Sequence, residues 1–217
     1  MLRIAGAVGS GLLICLFYFL GLYLLDAKGK YSFPRKRGIP FSVPILITAV
    51  FTLVIWIVYS MSNTGITFIW YFADMCMIWG LAVLTVTDWM KHTIPNKMLM
   101  ILLIIWVSVA CLMILYMIEA GMAFTFTGLA GALVGGIIFL LCYLLSKRQL
   151  GAGDVKLVFV LGLFLTGERI IGAIFYGVIF CGIFSLIQLL RKKITVKDGV
   201  PLVPFLYLGT VFTLLIL

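Results

Sequence analysis

The chain has 217 residues, of which 65% are hydrophobic and only 11% are charged, and its formal net charge is +9. So much apolar surface excludes a soluble globular domain, because the apolar runs are long enough to cross a bilayer as helices of roughly 20 residues. These runs are continuous and lack the alternation of strands, and hydrocarbon requires every backbone amide to be bonded internally. The composition therefore predicts an all-α polytopic membrane protein.

Eight apolar segments follow one another along the chain, without an internal repeat or a low-complexity tract. We expect about eight transmembrane helices in one membrane-embedded domain that covers residues 1–217. The first segment is too long for the apolar part of a simple signal peptide and is interpreted as a retained span. The predicted segments are residues 4–25, 41–60, 67–87, 98–118, 128–146, 155–166, 170–190 and 204–217.

The basic residues predict the orientation of these segments. Of the 16 lysines and arginines, only Arg3 and Arg169 fall on one side of the predicted membrane, and the others fall on the opposite side. The positive-inside rule makes the basic side cytoplasmic and leaves both termini outside. The basic loops all fall on one side only if the short sixth segment also crosses the membrane. The positive charge thus indicates membrane topology and no nucleic-acid partner.

Three acidic residues lie at or inside predicted spans, where a charge is costly and indicates function. Asp88 and Asp154 both fall at cytoplasmic ends, so they can share one site. Two carboxyl groups in a poorly hydrated site share a proton, and one can then act as base and the other as acid on a water molecule. Asp74 lies about 21 Å from Asp88 along the same helix and is predicted to be a buried structural group.

Other interpretations of these residues remain open at this point. Asp154 opens a helix and could be an ordinary N-cap, and Asp88 could pair with Lys91. An ion-coupled transporter also uses intramembrane acids, although Asp88 and Asp154 lie at one face and no inverted repeat is apparent. The lone histidine, His92, is interpreted as an interfacial side chain. The five cysteines lie inside apolar runs without CxxC spacing, so no metal site or cofactor is expected.

Three motifs resemble those of the type IV prepilin peptidases. They are "TDWMKHTIPNKM" at residues 87–98, "GAGDVKL" at 151–157 and "VPLVPFLYLG" at 200–209. The resemblance covers most of the chain, since the order of the motifs and the eight-span layout agree as well. Presenilin-like and signal-peptide-peptidase-like enzymes also carry a GxGD motif, but the Ile-Pro-Asn run after Asp88 favours the prepilin branch.

The resemblance implies an integral-membrane aspartic endopeptidase of a bacterial or archaeal cytoplasmic membrane, active in type IV pilus assembly or protein secretion. It would cleave the basic leader from prepilins or pseudopilins at the cytoplasmic face, and the apolar helix of the substrate could pack within lipid on small residues such as those of 128–136. Packing between the protein's own helices is the alternative for that stretch.

The resemblance also assigns the site residues. Asp88 and Asp154 match the catalytic positions, and the two motif glycines would permit close backbone approach. Lys156 matches the motif but is also explained as a solvated interfacial lysine. The residues expected to shape the site or contact substrate are Gly151, Gly153, Lys156, Pro95 and Asn96.

One departure from the family pattern lies after the first span. Many relatives carry a larger cytoplasmic insertion there, with paired CxxC motifs that bind zinc, and also methylate the new N-terminus of the substrate. This chain has only "DAKGKYSFPRKRGIP", residues 26–40, without cysteine. No zinc site is expected, N-methyltransferase activity is doubtful, and the basic loop is expected to meet anionic lipid of the bilayer.

Overall fold

The structure is a computed structural model that describes residues 65–146, 150–193 and 199–216. It also describes four isolated positions, Leu16, Tyr18, Leu20 and Val50. Apart from those positions, the first two predicted spans lie outside the described residues, as does the basic loop of residues 26–40. The predictions about these segments therefore remain predictions.

Five helices make up the described part of the chain. They are α1 (Gly65–Lys91), α2 (Asn96–Tyr116), α3 (Ile118–Leu145), α4 (Ala152–Leu190) and α5 (Val203–Ile216). No described residue lies in a β-strand, which confirms the all-α prediction for this part. Helices α1 to α4 are long and apolar enough to cross a membrane, whereas α5 has 14 residues. The count of about eight spans is not confirmed.

The predicted interval between the fourth and fifth spans is wrong. Residues 119–127 belong to α3, and only Met117 separates α2 from α3. Gly121 permits this tight turn because a Cβ there would meet the backbone of Ile114. The polar residues Thr125 and Thr127 do not end the helix, because their hydroxyl groups donate hydrogen bonds to carbonyls four residues earlier.

The long helix α4 consists of two antiparallel parts. Its backbone breaks at Thr166, where φ is 62° and ψ is −177°. A Cβ added at Gly135 of α3 would lie 2.9 Å from Ile170 Cγ1 and 3.0 Å from Val158 Cγ1. In a straight helix these two residues would be about 18 Å apart, so the chain reverses at Thr166. We name the two parts α4a (residues 152–165) and α4b (residues 167–190).

Glycines hold α3 and α4a in backbone contact. A Cβ at Gly131 would lie 2.5 Å from the carbonyl oxygen of Gly162, and a Cβ at Gly162 would lie 2.5 Å from that of Gly131. Gly128 makes a similar approach to the carbonyl oxygen of Leu163. These glycines of the stretch 128–136 are therefore occupied by packing between the protein's own helices.

Helix α1 lies at the centre of the described bundle. Four consecutive residues, Leu81 to Leu84, have no exposed surface, so neighbours enclose the helix on every side. Helices α2 to α4 instead present many apolar side chains outward, including Leu115 and Leu145, which are 81% and 82% exposed. Such an outer surface is suited to contact with hydrocarbon and not with water.

We predict that Gly131→Ala destabilises the protein by roughly 1–3 kcal/mol, because the added carbon meets backbone atoms that cannot move aside. The matched control is Gly182→Ala within α4b, where no described residue lies within 4 Å of the new carbon. We expect that control to be neutral or stabilised by up to about 1 kcal/mol. Thermal unfolding in detergent measures both, and equal midpoints for the two variants would contradict the packing described above.

Candidate active site

Asp88 lies in the last turn of α1 and is only 5% exposed. Its Oδ2 accepts a hydrogen bond of 3.0 Å from the backbone N–H of Val203, the first residue of α5. The helix ends just beyond Asp88 because His92 adopts a left-handed conformation with φ of 49°, and the His92 N–H donates to the Asp88 carbonyl oxygen. The side chain of Asp88 therefore points to the junction of α1 and α5.

Asp154 lies in the first turn of α4a and is partly buried. The N-cap of this helix is Gly151, which makes no side-chain capping bond, and Asp154 is the third helical residue. The backbone N–H of Asp154 donates to the carbonyl oxygen of Gly151 over 3.0 Å. The position of Asp154 thus differs from that of an N-cap, although its carboxyl group accepts a hydrogen bond from the backbone of Gly151.

The structure brings these two aspartates together although 65 residues separate them in the sequence. Gly153 at the start of α4a packs on Ile94, three residues beyond the end of α1, and the two carboxyl groups are close enough to interact electrostatically. Two neighbouring carboxyl groups with restricted hydration can hold one proton between them, which provides a base and an acid in one site. Asp74 does not join them: it is 1% exposed and lies 14 residues earlier on α1.

The two sequence motifs face each other across the site. A Cβ at Gly153 would lie 3.1 Å from the Cβ of Ile94, which precedes the buried Pro95. Further along the two motifs, Lys156 Nζ donates a hydrogen bond to Asn96 Oδ1 over 3.4 Å. The Ile-Pro-Asn run therefore contacts the glycine turn, which we define as residues 151–153. This contact fixes the start of α4a.

Gly151 is constrained by the acid of its own motif. A Cβ at this position would lie 2.8 Å from Asp154 Oδ2. Any larger residue would therefore displace the Asp154 carboxyl group, whereas a larger residue at Gly153 would press on Ile94. The two glycines serve distinct purposes, one for the carboxyl group and one for helix packing.

Val203 is the site residue that the sequence interpretation missed. The proline-containing segment at 200–209 was noted only as part of a resemblance, and no role was assigned to it. A backbone N–H donor carries no side-chain signature, so the available signal was the pair of prolines, Pro201 and Pro204, near the start of an apolar segment. Prolines at a helix start leave the neighbouring N–H groups free to bond elsewhere.

Six of the seven described basic residues gather at the same end of the bundle as the acidic pair, and Arg169, just after the break at Thr166, is the exception. The last turn of α1 meets α4b near its end, since the rings of Trp89 and Phe184 have centroids 6.1 Å apart. This grouping matches the loops that were predicted to share one side, although which side of the membrane they face remains a prediction. The basic residues at these helix ends are Lys91, Lys97, Lys156, Arg191, Lys192 and Lys193.

An apolar groove of about 720 Å³ borders the site and lies between α2, α3 and α4a. Asn96, Val155 and Lys156 line it next to the acidic pair. The rest of its lining is apolar and includes Leu133 and Phe159, which are 57% and 40% exposed. The groove therefore joins the outer, lipid-facing surface to the neighbourhood of Asp154.

Within the part of the chain that the structure describes, no three His, Cys, Asp or Glu side chains are grouped so that they could hold a metal ion. The polar groups that the described residues bring to the site include the two carboxyl groups and the backbone N–H of Val203.

A comparison with protein-family models finds one match that covers more than half of the chain. Residues 75–186 match the model described as the type IV leader peptidase family. This range includes both aspartates, the Ile-Pro-Asn run and the glycine turn. No curated protein and no solved structure matches the chain.

We predict that cysteines placed at positions 94 and 153 form a disulfide in a variant that lacks the five native cysteines. The two Cβ positions are 3.1 Å apart, so a small relaxation reaches the separation of about 3.5–4.5 Å in a disulfide. Mild oxidation followed by mass spectrometry and thiol counting measures the bond. The control pairs Ile94→Cys with Gly167→Cys, which lies just beyond the far end of α4a, about 20 Å from Gly153. Free thiols in the first pair would contradict the contact between the motifs.

Proposed function

Because the chain belongs to the type IV leader peptidase family, we propose that it is a membrane aspartic endopeptidase that removes the leader from prepilins or pseudopilins. The observation that carries this proposal is the meeting of Asp88 and Asp154, each supplied by a motif inside the matched range. The basic helix ends around the pair support cleavage at the cytoplasmic face.

In the proposed reaction the two carboxyl groups act on one water molecule. The ionised group removes a proton from the water as its oxygen bonds to the carbonyl carbon of the scissile peptide. The protonated group then gives its proton to the leaving nitrogen as the C–N bond breaks. One turnover thus exchanges the protonation of the pair, and proton exchange with solvent restores it.

The hydrogen bond from Val203 supports a positioning role for α5. An N–H donor on Oδ2 fixes the orientation of the Asp88 carboxyl group relative to Asp154. A buried carboxyl group without such a donor would rotate freely and would lose the alignment that proton transfer requires. Gly151 contributes in the same way, because it leaves room for Asp154 Oδ2.

The groove between α2, α3 and α4a supports a binding place for the apolar helix of the substrate. One end of it lies at Val155 and Lys156, directly after Asp154, and its apolar length faces the lipid side. A helix lying in the groove would bring the peptide bond at its end to the acidic pair. The basic leader that precedes this bond would then lie at the interface, outside the hydrocarbon.

We predict that Asp88→Asn and Asp154→Asn each reduce leader cleavage by about a hundredfold or more, because each removes one proton-transfer group. The assay incubates the purified protein in detergent with a leader-bearing prepilin and follows the shortened product on a gel. Glu119→Gln is the matched control, since this exposed carboxylate lies in the first turn of α3, at the opposite end of the bundle.

Full cleavage by either aspartate variant would reject the pair as the catalytic group. Proton-driven flux through reconstituted protein, without cleavage of any leader, would instead favour the ion-coupled transporter.

We predict that Leu133→Trp raises KM for the prepilin by roughly tenfold, which is about 1.4 kcal/mol, and leaves kcat unchanged. The larger side chain fills the groove but stays on the exposed surface, so folding is preserved. Leu115→Trp is the control, because this 81% exposed residue lies on α2 outside the groove. An unchanged KM for Leu133→Trp would place the substrate helix elsewhere.

A further inference from the structure

Thr85 carries a buried hydroxyl group without a hydrogen-bond partner. The residue is 6% exposed, and its Oγ1 bonds to no other group in the described part of the chain. Four other helical threonines donate to a backbone carbonyl three or four residues earlier, as Thr87 does to Leu84 over 2.9 Å. The Thr85 hydroxyl is therefore directed away from its own helix and into the protein.

Thr85 lies one helical turn before Asp88 on α1. Residues three apart on a helix are neighbours on its surface, so Thr85 and Asp88 share one side of α1, about 4.5 Å apart along the axis. Thr85 lies on the bilayer side of Asp88, away from the end of the bundle that carries the basic residues. A polar atom at this place can reach the Asp88 carboxyl group through one water molecule.

A second unpartnered hydroxyl group lies on α5, the helix that donates to Asp88. Thr210 of α5 has no exposed surface, and its Oγ1 also bonds to no described group. It lies seven residues after Val203 and hence on the same face of α5, two turns further along. Helices α1 and α5, which the hydrogen bond between Val203 and Asp88 joins, therefore each carry one buried hydroxyl group without a described partner.

We infer that a buried water molecule bridges the Thr85 hydroxyl group to the Asp88 carboxyl group. Buried waters typically occupy places where they satisfy polar groups that have no other partner. A carboxyl group has acceptor positions beyond the one used by the Val203 N–H. Thr85 is then a positioning residue for the proposed peptidase reaction, on which this inference rests: α5 holds Asp88 from one side and the water holds it from the other.

The test compares Thr85→Val, which removes the hydroxyl at equal shape, with Thr85→Ser, which keeps it, and with Thr87→Val as the matched control. We expect Thr85→Val to lower the thermal unfolding midpoint in detergent, because the bridging water loses a partner. We also expect kcat for a prepilin to fall by about tenfold with KM unchanged, as for other residues that orient a catalytic group. Thr85→Ser retains the wild-type midpoint and kcat, and Thr87→Val retains kcat.

The thermal unfolding midpoint of Thr85→Val tests whether the bridging water is present, independently of catalysis. If Thr85 has no water, its replacement by valine removes an unsatisfied buried group and raises the midpoint, and that result overturns the inference. An unchanged kcat in Thr85→Val beside an active wild type also overturns the positioning role. An inactive wild type with a lowered midpoint in Thr85→Val would count against the proposed function but not against the water.

Discussion

A carboxyl group buried in a membrane protein needs polar partners, and this requirement at Asp88 organises the site. The residue is 5% exposed, and its Oδ2 is bonded to the Val203 N–H at the start of α5. Charged groups in such surroundings are costly when they are unpaired. The bond therefore ties the end of the central helix α1 to α5, and it sets the place that Asp154 must reach. The other features of the fold near the site position Asp154 beside Asp88.

The position of Asp154 depends on the short helix α4a, after which the chain reverses direction. Helix α4a has 14 residues between its start at Ala152 and the break at Thr166, which is about 21 Å against roughly 30 Å of hydrocarbon. Its first turn, with Asp154, can therefore lie deeper than the end of a full-length span would. Backbone contact between Gly131 and Gly162 keeps α4a against α3, and the contact between Gly153 and Ile94 holds its start against the Ile-Pro-Asn run. Each of these glycines is needed because a side chain would separate the elements.

Much of this arrangement could be predicted from the sequence, for identifiable physical reasons. Hydropathy located the helices, and the basic residues required a chain reversal between residues 166 and 170, close to the observed break at Thr166. Motif spacing selected Asp88 and Asp154, which the structure brings together. The one-residue connection at Met117 was missed because threonines and a glutamate made residues 119–127 look like a loop. The Val203 N–H and the unpartnered Thr85 hydroxyl could not be predicted, since backbone donors and rotamers of buried hydroxyl groups depend on packing partners that are distant in sequence.

The groove between α2, α3 and α4a reaches the outer, lipid-facing surface, and this has a kinetic consequence. A molecule that enters between α2 and α3 arrives from the lipid phase and not from water, so its encounter with the enzyme is a search in two dimensions. The relevant concentration is then the number of molecules per unit of membrane area. Diluting the surrounding solution leaves the encounter rate unchanged, whereas adding lipid or detergent lowers it. Rate constants measured in micelles and in vesicles become comparable only when both are expressed as mole fractions of the amphiphile.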